Sequence, residues 1–210
     1  VVDTEQRQVR ARGIDPEVFA VPLLAPRLKP PAIPPALGPV QALVLDLPAL
    51  DATEPPVLTR LAVFADPWPV AVTVWRSADG LSFTRAATVS APAVIGATLD
   101  PLPAAPAACW TRGGVRVRLY GGALASAADA RVLDGANAAA VLAPSGDWEI
   151  VQFAGAELVG DRTYRLSRLL RGQAGSEYAI AASLPAGAPF VLLDEHLVPL
   201  ASGLGALERA

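Results

Sequence analysis

The chain contains no methionine, one cysteine, one histidine and, beside its arginines, one lysine, among 210 residues. A single thiol, Cys109, excludes an internal disulfide framework and leaves no pair for a CxxC redox or zinc motif. Its neighbours Ala107, Ala108 and Trp110 predict a small buried hydrophobe at this position rather than a thiolate nucleophile. With one imidazole, any hydrolytic triad has to use His196. On a strand, Asp194-Glu195-His196 leaves at most one carboxylate on the histidine's face, which argues against a metal site there. There is no P-loop and no GxGxxG, and no metal or cofactor is expected. Apolar stretches are short and broken by proline, well under the roughly 20 residues of a membrane helix. Val1 to Arg12 carries five charged residues, so no signal peptide is read there. A first residue that is not Met leads us to expect a processed or excised piece of a longer polypeptide. The formal net charge of −3 gives no basic surface for nucleic acid.

Alanine fills 42 positions, while 21 prolines and 17 glycines punctuate the chain and disfavour long helices. The polar opening Thr4 to Gly13 reads as an extended strand whose partner lies outside this sequence. Proline then recurs at Pro16, Pro22, Pro26, Pro30, Pro31, Pro34, Pro35 and Pro39, which predicts a semi-rigid connector. We therefore divide the chain into 1–38, the end of a preceding domain plus connector, and a β-rich domain over 39–210.

From Val40 onward, short apolar runs bounded by turn residues predict strands. They fall at Gln41 to Leu47, Leu58 to Ala65, Val70 to Ser77, Phe83 to Ser90, Val115 to Tyr120, Trp148 to Val159, Thr163 to Leu170 and Phe190 to Asp194. Asp79-Gly80 marks a tight hairpin, because glycine supplies a positive φ. Ser126-Ala127-Ala128-Asp129 has the form of a capping box and predicts a short helical turn ended by Gly135. The fold expected is all-β: an antiparallel, fibronectin-like β-sandwich with a short helical turn and added hairpins.

Two chemistries compete for attention. Glycoside hydrolysis would draw on Glu149, Glu157, Asp161, Glu177, Asp194 and Glu195, but spacing alone places no two of them across a cleft. Trp68, Trp75, Trp110 and Trp148 could stack on sugar rings, which makes a carbohydrate-binding module recognising host surface glycan the alternative function. Packing in core and hairpin is the commoner use of such residues.

A series of segments in the last third is more specific. Leu133-Asp134-Gly135-Ala136-Asn137, then Glu149-Ile150-Val151-Gln152-Phe153, then Leu166-Ser167-Arg168-Leu169-Leu170-Arg171-Gly172-Gln173-Ala174-Gly175-Ser176-Glu177 resembles the hub region of phage tail-tip and gene transfer agent baseplate proteins, the large "host specificity" tail proteins. That family's usual forms are NGAN, EIIQF and LSGLLRGRRGTE; Arg168 stands where the family often has glycine, and Ser176 where it has threonine. The strand from Gly114 to Leu119, the hairpin Trp75 to Gly80 and Arg12 to Glu17 also look like that family. The resemblance implies a non-enzymatic structural component of a virion or gene transfer agent tail, assembled in the bacterial cytoplasm. Implied partners are other tail and baseplate proteins and copies of the chain itself, in a symmetric ring, with a trimer suspected. The candidate interaction residues are Arg165, Arg168, Arg171, Gly172 and Glu177, which either lock one turn internally or reach a neighbouring subunit.

Overall fold

In a computed structural model the described residues are Gly13, 38–50, 53–54, 57–180 and 183–200. The chain divides into two compact units, Val1–Pro34 and Pro35–Ala210, and of the first only Gly13, which is exposed, is described. The expected opening strand and nearly all of the proline-rich connector lie outside the described residues.

The second unit contains β1 (Gln41–Pro48), β2 (Val57–Phe64), β3 (Val72–Arg76), β4 (Thr84–Val89), β5 (Ile95–Thr98), β6 (Leu102–Pro103) and β7 (Gly114–Leu119). After these come α1 (Asp129–Leu133), β8 (Ala138–Leu142), β9 (Trp148–Gly160), β10 (Thr163–Leu170), β11 (Ser183–Leu184), β12 (Pro189–Leu192) and β13 (Val198–Pro199). Six strands close into an antiparallel barrel in the order β10-β7-β5-β12-β8-β9. This corrects the expected fibronectin-like sandwich. Period-two alternation is common to sandwiches and barrels, so the pattern of β7 and β10 does not separate them. Closure is made by β5 and β8, which pair with β12 on its two sides and escape a reading by alternation. Both are short, rich in Gly and Ala, and largely buried on both faces, so neither shows an apolar and a polar side.

The barrel interior is filled by Val115, Val117 and Leu119 from β7, Val151 and Phe153 from β9, Leu166 and Leu169 from β10, and Phe190 from β12. A second layer lies on its outside. The sheet β1-β2-β13 buries Leu45, Leu47, Ala62 and Phe64 against Ile95, Ala140, Ile150 and Val191. This explains why Trp148 to Ala154 reads as an unbroken buried run: one face looks into the barrel and the other into a covering layer. The opposite face of β2, with Leu61 and Val63, carries the β3–β4 hairpin through Val72, Val74 and Val89. The ribbon formed by β6 and β11 contributes Leu102 and Leu184 to the interior core.

Local departures from expectation have simple causes. The helical turn starts at Asp129 with Ala128 as its cap, because the Ser126 hydroxyl is spent on β9, accepting from the Ala156 N–H at 2.9 Å. Between β3 and β4 the loop 77–83 is longer than a tight hairpin. Gly80 does take φ +73°, and Asp79 accepts bonds from the Ser77 hydroxyl and the N–H groups of Leu81 and Ser82. Cys109 is exposed rather than buried, since its neighbour Trp110 turns inward and bridges to Leu170.

Candidate functional site

The most constrained group of polar side chains lies where β9 begins and β10 ends. Glu149 has the strand parity of Val151 and Phe153 and sits opposite Val141, so it faces the barrel interior. A carboxylate held there needs a cation and a full set of donors. Arg171, one residue beyond β10, supplies both: Nε and Nη2 donate to the two carboxylate oxygens, the second at 2.6 Å. The third nitrogen, Nη1, donates to the Pro103 carbonyl at 2.7 Å, and the Gly172 N–H donates to Glu149 at 3.2 Å. Both side chains are fully buried. Arg171 thus ties β9, the end of β10 and β6 together.

The segment that follows takes the place of a strand. On one side Ile150 pairs with Ala140 of β8; on the other its N–H donates to Ser176 Oγ at 2.8 Å and its carbonyl accepts from Gln173 N–H at 2.9 Å. Ser176 Oγ in turn donates to the Gln173 carbonyl at 2.8 Å, and the hydroxyl is fully buried with its residue. Gly172 takes φ +59°, and a Cβ there would lie 2.6 Å from Ile180 Cδ1 and 3.1 Å from the Glu177 Cα. Glycine is therefore required by conformation and by space at once. Gln152, also buried, donates to the carbonyls of Val132 at 2.6 Å and Ala136 at 3.0 Å, which fastens α1 and the turn after it to β9. Asn137 similarly donates to the carbonyls of Ala125 and Phe153.

Arg168 has φ +53°, the left-handed region that glycine adopts at little cost. Here the facing of β10 slips by one: Tyr164 and Leu166 look inward, and so does Leu169 rather than the next residue in alternation. The arginine side chain lies over the Trp110 ring, 5.0 Å from its centroid, and forms an ion pair with Asp129 at the start of α1. Arg165 stands on the outer face of β10, directly between Arg116 of β7 and Glu157 of β9. Arg116 is held by Asp100 through Nε at 2.9 Å and Nη2 at 2.6 Å, with its own backbone N–H donating to the same carboxylate at 3.0 Å. These bonds from Arg116 hold the Asp100 carboxyl down at about 2, below the usual carboxylate range. Arg165 and Arg116, with Asp100, Gly114 and Val115, line a shallow cavity of about 220 Å³.

Of the five candidate residues, then, Arg171 and Gly172 meet on one carboxylate, that of Glu149. Glu177 opens a 3-10 turn (Glu177–Ala179) and is exposed; Arg165 and Arg168 act at separate places on the outer surface. The partner acid of Arg171 was the residue not assigned to it by sequence. A charged residue between Trp148 and Ile150 in a buried run is the signal that finds it.

The other candidate chemistries are dispersed. His196 Nδ1 lies 3.2 Å from Asp194 Oδ2, and Asp194 Oδ1 accepts from the His196 backbone N–H at 3.0 Å. Among the described residues, no group of three or more His, Cys, Asp and Glu side chains is placed to hold a metal ion, and no helix is long and apolar enough to cross a membrane. Trp148 is buried and donates to the Val44 carbonyl at 3.2 Å, Trp68 donates to the Ser90 carbonyl at 3.3 Å, and Trp110 lies under Arg168. Trp75 is the exposed member of the four, at 58%.

A family model described as Rcc01698-like, C-terminal, matches residues 93–191. That match is consistent with a gene transfer agent protein. The matched span begins two residues before β5 and ends within β12, so it coincides with the closed barrel. No curated protein matches the chain.

Proposed function

We propose that this chain is a non-enzymatic structural component of a phage-like tail, part of the baseplate hub or tail tip of a virion or gene transfer agent particle. In that role it links the tail tube to the parts that recognise or breach the host. The observation that carries the reading is the coincidence of the Rcc01698-like match with the barrel. The resembling motifs add support, because their polar residues are used for architecture: Glu149, Gln152, Arg171 and Ser176 are buried and bonded within the fold. Its partners on this reading are other tail proteins and copies of itself, and its place is the tail end of the particle.

The test is cryo-electron microscopy of purified particles carrying an epitope-tagged copy of the chain. Density for a six-stranded barrel beneath the tail tube is the expected result. Absence of the tagged chain from purified particles would overturn the proposal. The alternative, a glycan-binding module, retains only Trp75 as a free tryptophan platform; a Trp75-dependent signal on a glycan array would restore it.

A further inference from the structure

We propose that the free edge of β1 is a docking site for an extended, basic segment of a different protein, which adds to the three-stranded sheet β1-β2-β13 as a further strand. β1 is eight residues long and pairs with β2 alone, in an unbroken register. That register shows which backbone groups are left over. On the far side of β2 the carbonyls of Thr59 and Val63 accept from the Leu200 and Ala93 N–H groups. Residues of an antiparallel strand alternate in the side to which their N–H and C=O point, so Leu58, Arg60, Ala62 and Phe64 are the residues of β2 that bond β1. Their partners are Leu47, Leu45, Leu43 and Gln41. Ala42, Val44 and Asp46 therefore aim both backbone groups away from the sheet. The Trp148 indole N–H agrees with this direction, because it reaches the Val44 carbonyl at 3.2 Å. That carbonyl apart, the three residues have no backbone partner among the described residues. Lysine, a bulge or a mid-strand proline commonly blunts such an edge, and β1 has none of them before Pro48. Donors and acceptors repeating at strand spacing are complementary to an extended backbone.

Chemistry beside the edge narrows the occupant. A cavity of about 480 Å³ is lined by Val44, Asp46 and Leu47 of β1 together with Asp147, Trp148 and Tyr178. Val44 and Tyr178 are exposed there, at 55% and 68%. The charged groups of the lining are the Asp46 and Asp147 carboxylates. Each accepts one hydroxyl at 2.7 Å, Asp46 from Thr59 and Asp147 from Ser145, and neither forms an ion pair among the described residues. Neighbouring charges do not offset them. Arg60, on the adjoining strand, is engaged by Glu54, and Glu177, next to Tyr178 in the chain, is a further exposed carboxylate. A lysine or arginine placed opposite Asp46 on the added strand lies on the same face of the sheet as that carboxylate. Its aliphatic stem covers Val44 and its charge meets the two carboxylates and the Tyr178 ring. The inference goes beyond the proposed tail role and does not depend on it, because the purified chain and a synthetic peptide report on it.

Amide hydrogen exchange, followed by NMR on the whole 210-residue chain, tests it with a blocked heptapeptide of alternating valine and lysine as the probe. The peptide slows exchange at Ala42, Val44 and Asp46 and leaves Leu43 and Leu45, already bonded to β2, unchanged. A valine–glutamate counterpart binds at least roughly tenfold more weakly, and the double variant Asp46→Lys with Asp147→Lys reverses that order. Methylating the lysine amide nitrogens of the probe, which face β1 when a lysine stands opposite Asp46, abolishes the protection; methylating the valine nitrogens spares it. Unchanged exchange at millimolar peptide overturns the proposal, as does equal binding of the two peptides. Amides that are already slow in the dilute chain without peptide also overturn it, since the chain itself then covers the edge. Slow exchange that instead sets in as chain concentration rises makes a second copy the occupant and overturns it equally.

Discussion

Arg171 and Glu149 meet inside one end of the barrel, each with no exposed surface, and the pair connects residues 22 apart in the chain. Because the guanidinium also serves the Pro103 carbonyl and the carboxylate also serves the Gly172 N–H, removing either partner strands more than one buried group.

Glu149→Leu or Arg171→Met is expected to destabilise the chain by about 3–5 kcal/mol, the usual cost of leaving one buried charge uncompensated. The double variant Glu149→Leu with Arg171→Met is expected to recover a large part of the loss. Chemical denaturation of the two singles and the double, read as a mutant cycle, checks this; a loss in the double equal to the sum of the two single losses would show that the cation–carboxylate pairing is not what matters.

Gly172 and Gly175 share a positive φ, +59° and +83°, but differ in surroundings. A Cβ at Gly175 meets nothing within 4 Å, whereas at Gly172 it meets Ile180 and the Glu177 backbone. Gly175→Ala should therefore cost about 1 kcal/mol, the backbone penalty alone, and Gly172→Ala clearly more. Melting temperatures of the two variants side by side decide it.

At Arg168 two effects oppose each other. Arg168→Gly relieves a left-handed φ worth about 1 kcal/mol and loses an exposed ion pair and a ring contact of similar size. Its stability is expected to stay close to wild type. Arg168→Ala loses the contacts and keeps the strain, so it should unfold at lower denaturant, and a ranking with Ala above Gly would refute this account.

The Asp100 carboxyl, lowered to about 2 by its bonds from Arg116, gives a stability term that is present above the unfolded carboxylate value and lost as pH falls toward 2. Asp100→Asn should accordingly lower the melting temperature at neutral pH and flatten its fall between roughly pH 4 and pH 2. Parallel melting curves for wild type and Asp100→Asn across that range would show the difference closing as the pH drops; a constant gap would argue against it.

Much of the strand content was legible in the sequence, and the reason is visible in the strands themselves. β7 alternates buried Val and Leu with exposed Arg, and β10 does so as far as Ser167. What stayed hidden was closure. β5 and β8 have no polar face to alternate against, being covered on both sides, and alanine is a weak strand former. The slip at Arg168 is similarly invisible to period-two reasoning. The site residues were named without the acid that joins two of them, because Glu149 and Arg171 are brought together by the β9–β10 pairing and not by spacing.

The barrel's final wall is β12, which is hydrogen-bonded to β5 through Phe190 and Gly96 and to β8 through Val191 and Ala140. β12 is the last of the six barrel strands in chain order, so during synthesis the ring stays open until residues 189–192 have been made. Bringing β5 and β12 together closes a loop of nearly the whole matched segment, an entropic toll collected before the last hydrogen bonds return anything. Slow maturation, with two unpaired strand edges exposed to chaperones or to neighbouring chains in the meantime, is built into this order of strands.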